Sequence, residues 1–176
     1  MGASRRVLVI VIACLSVFFS NLGAAQPSDR VIAERVLGSQ WRQMSRRAGM
    51  IFTGTVLSVA APTAAVGRVV PGATPAVQLS FRVDEAIAGV DRGQILTIHE
   101  WAGAWSMHRP MRKGQRILIF LYPPSRLGFT SPVGGSLGQV ALDSSGKSAS
   151  SAQPRFAKAS VSQLERAIRS VRSEEE

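Results

Sequence analysis

Residues 48–59 read Ala48-Gly-Met-Ile-Phe-Thr-Gly-Thr-Val-Leu-Ser-Val59. From Met50 onward the run is rich in β-branched and apolar side chains, which suit a pleated strand, yet a glycine interrupts it at Gly54. Glycine inside a strand weakens it and often marks a bulge, a sharp bend or a close approach of another backbone. Either Gly54 lets a long strand bend so that it can pair on both sides, or it is a glycine tolerated at a sheet edge.

The remaining segments supply the partners for such a strand. Val77-Gln-Leu-Ser-Phe-Arg-Val-Asp84 alternates without a fault, so Val77, Leu79, Phe81 and Val83 share one face and Gln78, Ser80, Arg82 and Asp84 share the other. Ile95–Trp101 makes a third strand. Arg116-Ile-Leu-Ile-Phe-Leu-Tyr122 is apolar in both phases, which requires cover on both faces and places it at the centre of the core. Pro123 and Pro124 end it. Residues 127–142, broken by Pro132, Gly134, Gly135 and Gly138, fit a bulged hairpin that ends in a short strand over 138–142. The stretch 61–75, with three prolines and two glycines, is a loop between strands.

Helical periodicity flanks the strands. Residues 28–47 place Ile32, Val36 or Leu37, Trp41 and Met44 at three-to-four spacing, the stripe of an amphipathic helix with Gly38 in its middle. Residues 160–172 carry Val161, Leu164, Ile168 and Val171 on one narrow stripe, with Ser162 and Glu165 at capping-box spacing. Between the last strand and this helix, 143–159 is polar and low in complexity, a linker composition.

The chain begins with the layout of a secretory signal: basic Arg5 and Arg6, an apolar run from Val7 to Phe19, and small residues at Gly23, Ala24 and Ala25. Cleavage is placed after Ala25. An alternative reading uses Val11-Ile-Ala-Cys14 as a lipoprotein signal. Cys14 is the single cysteine in 176 residues, so the exported chain has no disulfide and relies on a packed core. Removing the signal takes away two of 21 basic residues and leaves 19 against 11 acidic ones, a net charge of +8. A basic exported protein is drawn to anionic surfaces and polymers, although the same charge can serve solubility alone.

Five short β segments with one long loop predict a mainly β fold: a five-stranded OB-like antiparallel barrel over 48–142, preceded by an N-terminal helical segment (26–47) and followed by a C-terminal amphipathic helix (160–176). The order of "IFTGTVLSV", "VQLSFRVDEAIAGVDRGQILTIHE", "MRKGQRILIFLYPP" and "VGGSLGQVAL" resembles the netrin-like, or tissue inhibitor of metalloproteinases-like, OB-fold group, and above all its bacterial exported branch. The matching features are a Gly-x-Val strand at Gly54 and Val56, a strand leading to Gly89, and Gly114 with Leu118 and Phe120. The resemblance implies a binding module and suggests a secreted protease as a partner. Inhibitors in that group chelate zinc through an N-terminal cysteine, which a chain starting at Gln26-Pro27 lacks. That route to inhibition is not implied here.

Residues suited to chemistry are few. Imidazole and carboxylate suit zinc, but in a strand His99 and Glu100 point to opposite faces, and His108 lies outside any HExxH spacing. The histidines are read as surface or rim residues, with no metal and no cofactor. Gly134-Gly135-Ser136-Leu137-Gly138 has the letters of a nucleophile elbow, which needs a strand before it and a helix after it. Pro132 precedes the motif and a strand follows, so the chain is read as a non-enzyme. A third cluster is basic and aromatic: Trp101, Trp105, His108, Arg109, Arg112 and Lys113 fall within thirteen residues. OB-folds bind oligomers with such side chains, whereas a Trp at a strand end can equally plug a barrel mouth.

These features define an exported binding or accessory module, a monomer, whose partner is a protein or an anionic envelope component. Two alternatives are a protease partner and an oligonucleotide or anionic-polymer binder. The signal layout gives the first expected result: N-terminal sequencing of exported protein should begin at Gln26. Full-length chain bearing Met1 in the cytosol would contradict it, and a lipid on Cys14 would favour the lipoprotein reading.

Overall fold

The computed structural model describes residues 27–60, 75–143 and 159–174. The signal reading, the loop over 61–74 and the linker over 144–158 lie outside the described residues. The elements in chain order are helices α1 (Pro27–Leu37) and α2 (Trp41–Arg47), strands β1 (Met50–Ala60), β2 (Ala76–Ala88) and β3 (Ile95–Trp101), a single helical turn α3 (Ala102–Trp105), strand β4 (Arg116–Leu121), a 3-10 turn (Gly135–Gly138), strand β5 (Gln139–Leu142) and helix α4 (Val161–Ser173).

The five strands form one antiparallel sheet in the order β3-β2-β1-β4-β5. β1 is therefore central, and Gly54 pairs with Val83 of β2 on one side and Ile117 of β4 on the other. The β1–β2 register slips at Thr53/Gly54 and at two further points, and a Cβ on Gly54 would stand 2.6 Å from the Arg82 carbonyl oxygen. Gly54 thus serves both a bulge and a close backbone approach in a strand paired on both edges. The edge-strand reading of this glycine does not hold.

Each face of the sheet carries its own apolar cluster. On one, α1, α2 and α4 pack with Ile51, Leu118 and Phe120, and α4 contributes Leu164, Ala167, Ile168 and Val171. On the other, Phe52, Val77, Leu79, Phe81, Val83, Ile98, Ile117, Ile119 and Leu121 pack against one another and Met111. The alternation of β2 and the two-phase apolar pattern of β4 are both realised, since residues 117–121 are fully buried.

The sheet is not closed into a barrel, which corrects the closed form of the expected fold. Among the described residues no ladder joins β3 to β5. The seam is crossed by a single parallel bridge, His99 to Phe129, with the Thr130 N–H donating to the His99 carbonyl at 2.9 Å. β5 has only four residues, and the chain between β4 and β5 spends Gly128, Gly134 and Gly135 on left-handed turns. Too little strand remains there to form a closing ladder.

The N-terminal segment holds two helices in place of one. Gly38 takes φ +84° and ends α1 in the left-handed conformation that glycine adopts most readily. The break lets Trp41 and Met44 of α2 turn into the helix-side core. The capping box of α4 likewise lies two residues before its expected place. Ser160 Oγ accepts from Gln163 N–H, and Gln163 Oε1 accepts from Ser160 N–H at 3.1 Å, while Glu165 pairs with Arg169 one turn on. Two further contacts tie the terminal helices together. Arg166 binds Asp29 through both Nε and Nη2, and Arg172 Nη1 donates to Ser45 and Ala48 carbonyls at 2.7 and 2.9 Å. The second contact satisfies carbonyls left open at the end of α2 and sets a cation on its negative pole.

Leu118 joins the helices to the sheet with no exposed surface. Leu118→Ala should lower the unfolding free energy by about 2–5 kcal/mol in chemical denaturation. A loss of a few tenths would mean that β4 is not held between the two clusters.

Candidate functional site

The ladder registers decide which side chains of the two edge strands meet. Along β3, Leu96, Ile98 and Glu100 alternate inward, and Ile95, Thr97, His99 and Trp101 outward. His99 and Glu100 do point to opposite faces, and the inward one is the carboxylate, fully buried. On β5, Gln139 is opposite Ile119 and Ala141 opposite Ile117. Residues directly opposite in an antiparallel pair share a face, so Gln139 and Ala141 belong to the same concave side as Glu100.

His108 joins the two strands. Its Nε2 lies 2.8 Å from Glu100 Oε1 and its Nδ1 lies 3.0 Å from Gln139 Nε2. The Gln139 amide is a donor, so Nδ1 accepts from it and the imidazole proton sits on Nε2, donated to Glu100. The Arg109 carbonyl oxygen, 3.3 Å from Nδ1, is then a contact and not a hydrogen bond, because two acceptors face each other. Trp105 packs edge-on against the imidazole with ring centroids 5.3 Å apart. The His108 side chain is only 2% exposed, so the expectation of a surface or rim histidine is corrected for His108 and holds for His99.

The second carboxylate oxygen, Glu100 Oε2, is buried with no hydrogen bond among the described residues. Burial pushes the Glu100 carboxyl above its ordinary 4.5, and the hydrogen bond and charge of His108 draw it part of the way back. Desolvation wins because a lone ionised carboxylate against Val77 and Ile98 gives up its hydration and recovers one hydrogen bond.

On the solvent side of His108 lies a cleft of about 360 Å³, lined by Met107, His108, Arg109, Gln115, Ser136, Gln139 and Ala141. It lies near the lower end of the range for ligand pockets. The size suits one or two side chains of a partner or a small polar molecule. Met107, one of the lining residues, is 84% exposed. Ser136, the serine of the Gly-x-Ser-x-Gly letters, sits in the 3-10 turn Gly135–Gly138, which runs into β5 and not into a helix.

The six residues of the expected contact loop do not form one patch. Trp101 ends β3 on the outer face, 52% exposed. Trp105 and His108 turn inward, Trp105 against the concave cluster. Arg109 reaches the cleft, while Arg112 and Lys113 are exposed in the turn that leads to Gln115. Gln139 escaped notice because amides at strand starts are unremarkable. Glu100 left a signal: it stands in phase with Leu96 and Ile98, a carboxylate at a core position. Among the described residues no group of three or more His, Cys, Asp and Glu is placed to hold a metal ion, and no helix is long and apolar enough to cross a membrane.

Compared with known proteins, the chain matches no family model, no curated protein and no solved structure.

A carboxyl whose folded value is raised binds its proton more readily folded than unfolded, so its stabilising contribution is full below 4.5 and is lost as pH rises through the raised value. Denaturant midpoints taken across this range should show the wild type losing stability, as pH rises above 4.5, relative to Glu100→Gln. A difference that does not vary with pH would show that Glu100 is ionised in folded and unfolded chains alike.

Proposed function

We propose that the chain is an exported, non-catalytic binding module that captures a protein partner at the cleft between Met107–Arg109 and Ser136–Gln139. The observation that carries this reading is a polar lining beside an exposed apolar side chain: Gln115, Ser136 and Gln139 line the cleft together with Met107, which is largely exposed. An exposed apolar side chain beside convergent amide and hydroxyl groups suits a short segment of polypeptide, whose backbone the amides read and whose side chain Met107 covers.

The engagement of His108 favours binding over catalysis. A general base needs a nitrogen that faces a nucleophile, and here Nε2 faces Glu100 and Nδ1 faces the Gln139 amide, neither of which is a hydroxyl or thiol to be activated. Ser136 has neither the strand before it nor the helix after it that a nucleophile elbow uses.

On this reading the fold is an OB-like barrel left open at one seam. The sheet order and the parallel contact of His99 with Phe129 support it, and OB-folds are partly open barrels. The likeness to inhibitors of secreted metalloproteinases then bears on architecture, with an exported protease as one partner among others. Export itself rests on the basic, apolar and small-residue layout of residues 1–25.

Capture from an envelope extract tests the proposal, with exported wild-type protein beside the rim variant Met107→Ala. The side chain is exposed, so the variant should unfold at the wild-type denaturant midpoint. A partner held at the cleft should bind it about tenfold or more weakly. Unchanged capture would place the contact elsewhere, and binding that collapses steeply with salt would reassign the partner to an anionic polymer.

A further inference from the structure

The relay from Glu100 to Gln139 runs from a fully buried carboxylate to the wall of the cleft through one imidazole ring. We propose that it reports the protonation of Glu100 at the cleft by exchanging the hydrogen-bonding end of the Gln139 amide, which makes Gln139 a proton-controlled specificity residue. The inference rests on the reading of this cleft as a binding site.

Proton accounting leads there. With Glu100 ionised, His108 Nε2–H donates to Oε1 at 2.8 Å, and Nδ1 accepts from the Gln139 Nε2–H at 3.0 Å. That arrangement leaves Gln139 Oε1 and the second Nε2–H outside the bond to the ring. Glu100 has no exposed surface. A proton settling on the unbonded Oε2 would leave Nδ1 and Gln139 unmoved, which is the outcome that contradicts the relay. Along the relay, a proton from the cleft enters at Nδ1 while the proton already on Nε2 passes to Oε1 or is shared with it. One proton enters and one shifts across the ring. Wherever the shared proton rests, Nδ1 now carries hydrogen and is a donor. Two N–H groups cannot face one another, so the Gln139 amide turns: Oε1 accepts from Nδ1, or Nδ1–H goes to the Arg109 carbonyl already 3.3 Å away. In either case the N–H that had gone to Nδ1 is released to the cleft, so that both amide N–H groups are available there.

The charged and titratable groups around the ring are few. β3 supplies Glu100, β2 faces it with Val77 across the ladder, the loop supplies His108 itself and the Arg109 guanidinium on the cleft side, and β5 and the 3-10 turn add the neutral Gln139 and Ser136. His99 points away on the outer face. Glu100 is therefore the one acidic group in contact with the ring among them, and burial moves its titration out of the ordinary carboxylate range toward milder acid.

The ligand class follows from the direction of the exchange. Above the transition the Gln139 amide offers its carbonyl oxygen and one N–H, and admits hydrogen-bond donors such as a peptide N–H, a hydroxyl or an ammonium group. Below it the amide offers both N–H groups, and the balance moves toward carbonyl or carboxylate groups.

The chain has two histidines, and exposed His99 is an internal control. Side-chain NMR of the full, partner-free protein is followed from about pH 4 to about pH 9, a span that covers ordinary Glu and His titrations. The expected result is a shift of His108 Nδ1 from the hydrogen-free to the hydrogen-bearing type on acidification, with Glu100 Cδ and the Gln139 side-chain amide moving at the same midpoint. In a folded Glu100→Gln variant, the Nδ1 and Gln139 signals should not change at that midpoint. Separate midpoints in the wild type would overturn the relay without recourse to any variant. So would an Nδ1 transition that persists unchanged in Glu100→Gln, or a Gln139 amide that stays still. Because no partner is present, these outcomes are independent of the capture experiment: a working relay with unaltered capture by the rim variant would refute the cleft as the binding site and leave the proton exchange standing.

Discussion

A sheet that is apolar on both faces, with helices enough to cover only one, must fold over its other face. That constraint governs the whole molecule. β4 buries residues 117–121 completely, sending Leu118 and Phe120 toward the helices and Ile117, Ile119 and Leu121 to the concave side. Each such side chain is worth about 1.5–3 kcal/mol when fully buried, so leaving the concave row in water would outweigh the marginal stability of an ordinary domain. Curling the sheet is the available remedy, and the bulges of β1 around Gly54 permit it by letting a central strand bend while keeping its hydrogen bonds on both sides.

Curling brings the two edge strands toward each other without bringing them into register. β5 is too short to form a ladder, so the seam is held by one backbone bridge and by the side-chain chain of Glu100, His108 and Gln139. The loop after β3 provides the connecting piece. Met111 and Trp105 pack onto the concave cluster, which anchors the loop on both sides of His108 and aims its ring at Glu100. Structure and candidate site therefore have one origin: the place where the sheet fails to close is the place where polar groups gather and where one ring separates solvent from a buried carboxylate.

The sequence made some of this legible and hid the rest for definite reasons. Strand periodicity is local, and Val77 to Val83 and Ile117 to Leu121 carry it without ambiguity, so all five strands and the covered α4 could be read. Closure is a property of edges, which depends on how many residues β5 can pair after three glycine turns, and no local pattern records that. The break at Gly38 was visible as a weak point but not as a change of direction, because only packing of Trp41 against α4 decides it. The site was legible in pieces. Alternation placed His99 and Glu100 on opposite faces, yet which face was interior depended on the partner strand. The approach of Gln139 to His108 spans 31 positions and leaves no spacing to detect.

Burial alone would not call for a carboxylate at position 100. A buried ionic pair seldom outperforms well-packed apolar side chains of similar volume, because desolvation offsets most of the attraction, and here one carboxylate oxygen has no hydrogen bond at all among the described residues. What the relay supplies is direction. Apolar contacts are non-directional and would let the loop and β5 slide over the concave cluster, whereas two hydrogen bonds to opposite nitrogens of one rigid ring fix the separation and angle of the strands that bear Glu100 and Gln139. The same rigidity makes the ring a conductor of protonation, since its two nitrogens are electronically linked and one cannot change its role without constraining the other. A clasp built from leucine would have closed the seam and told the cleft nothing about the interior.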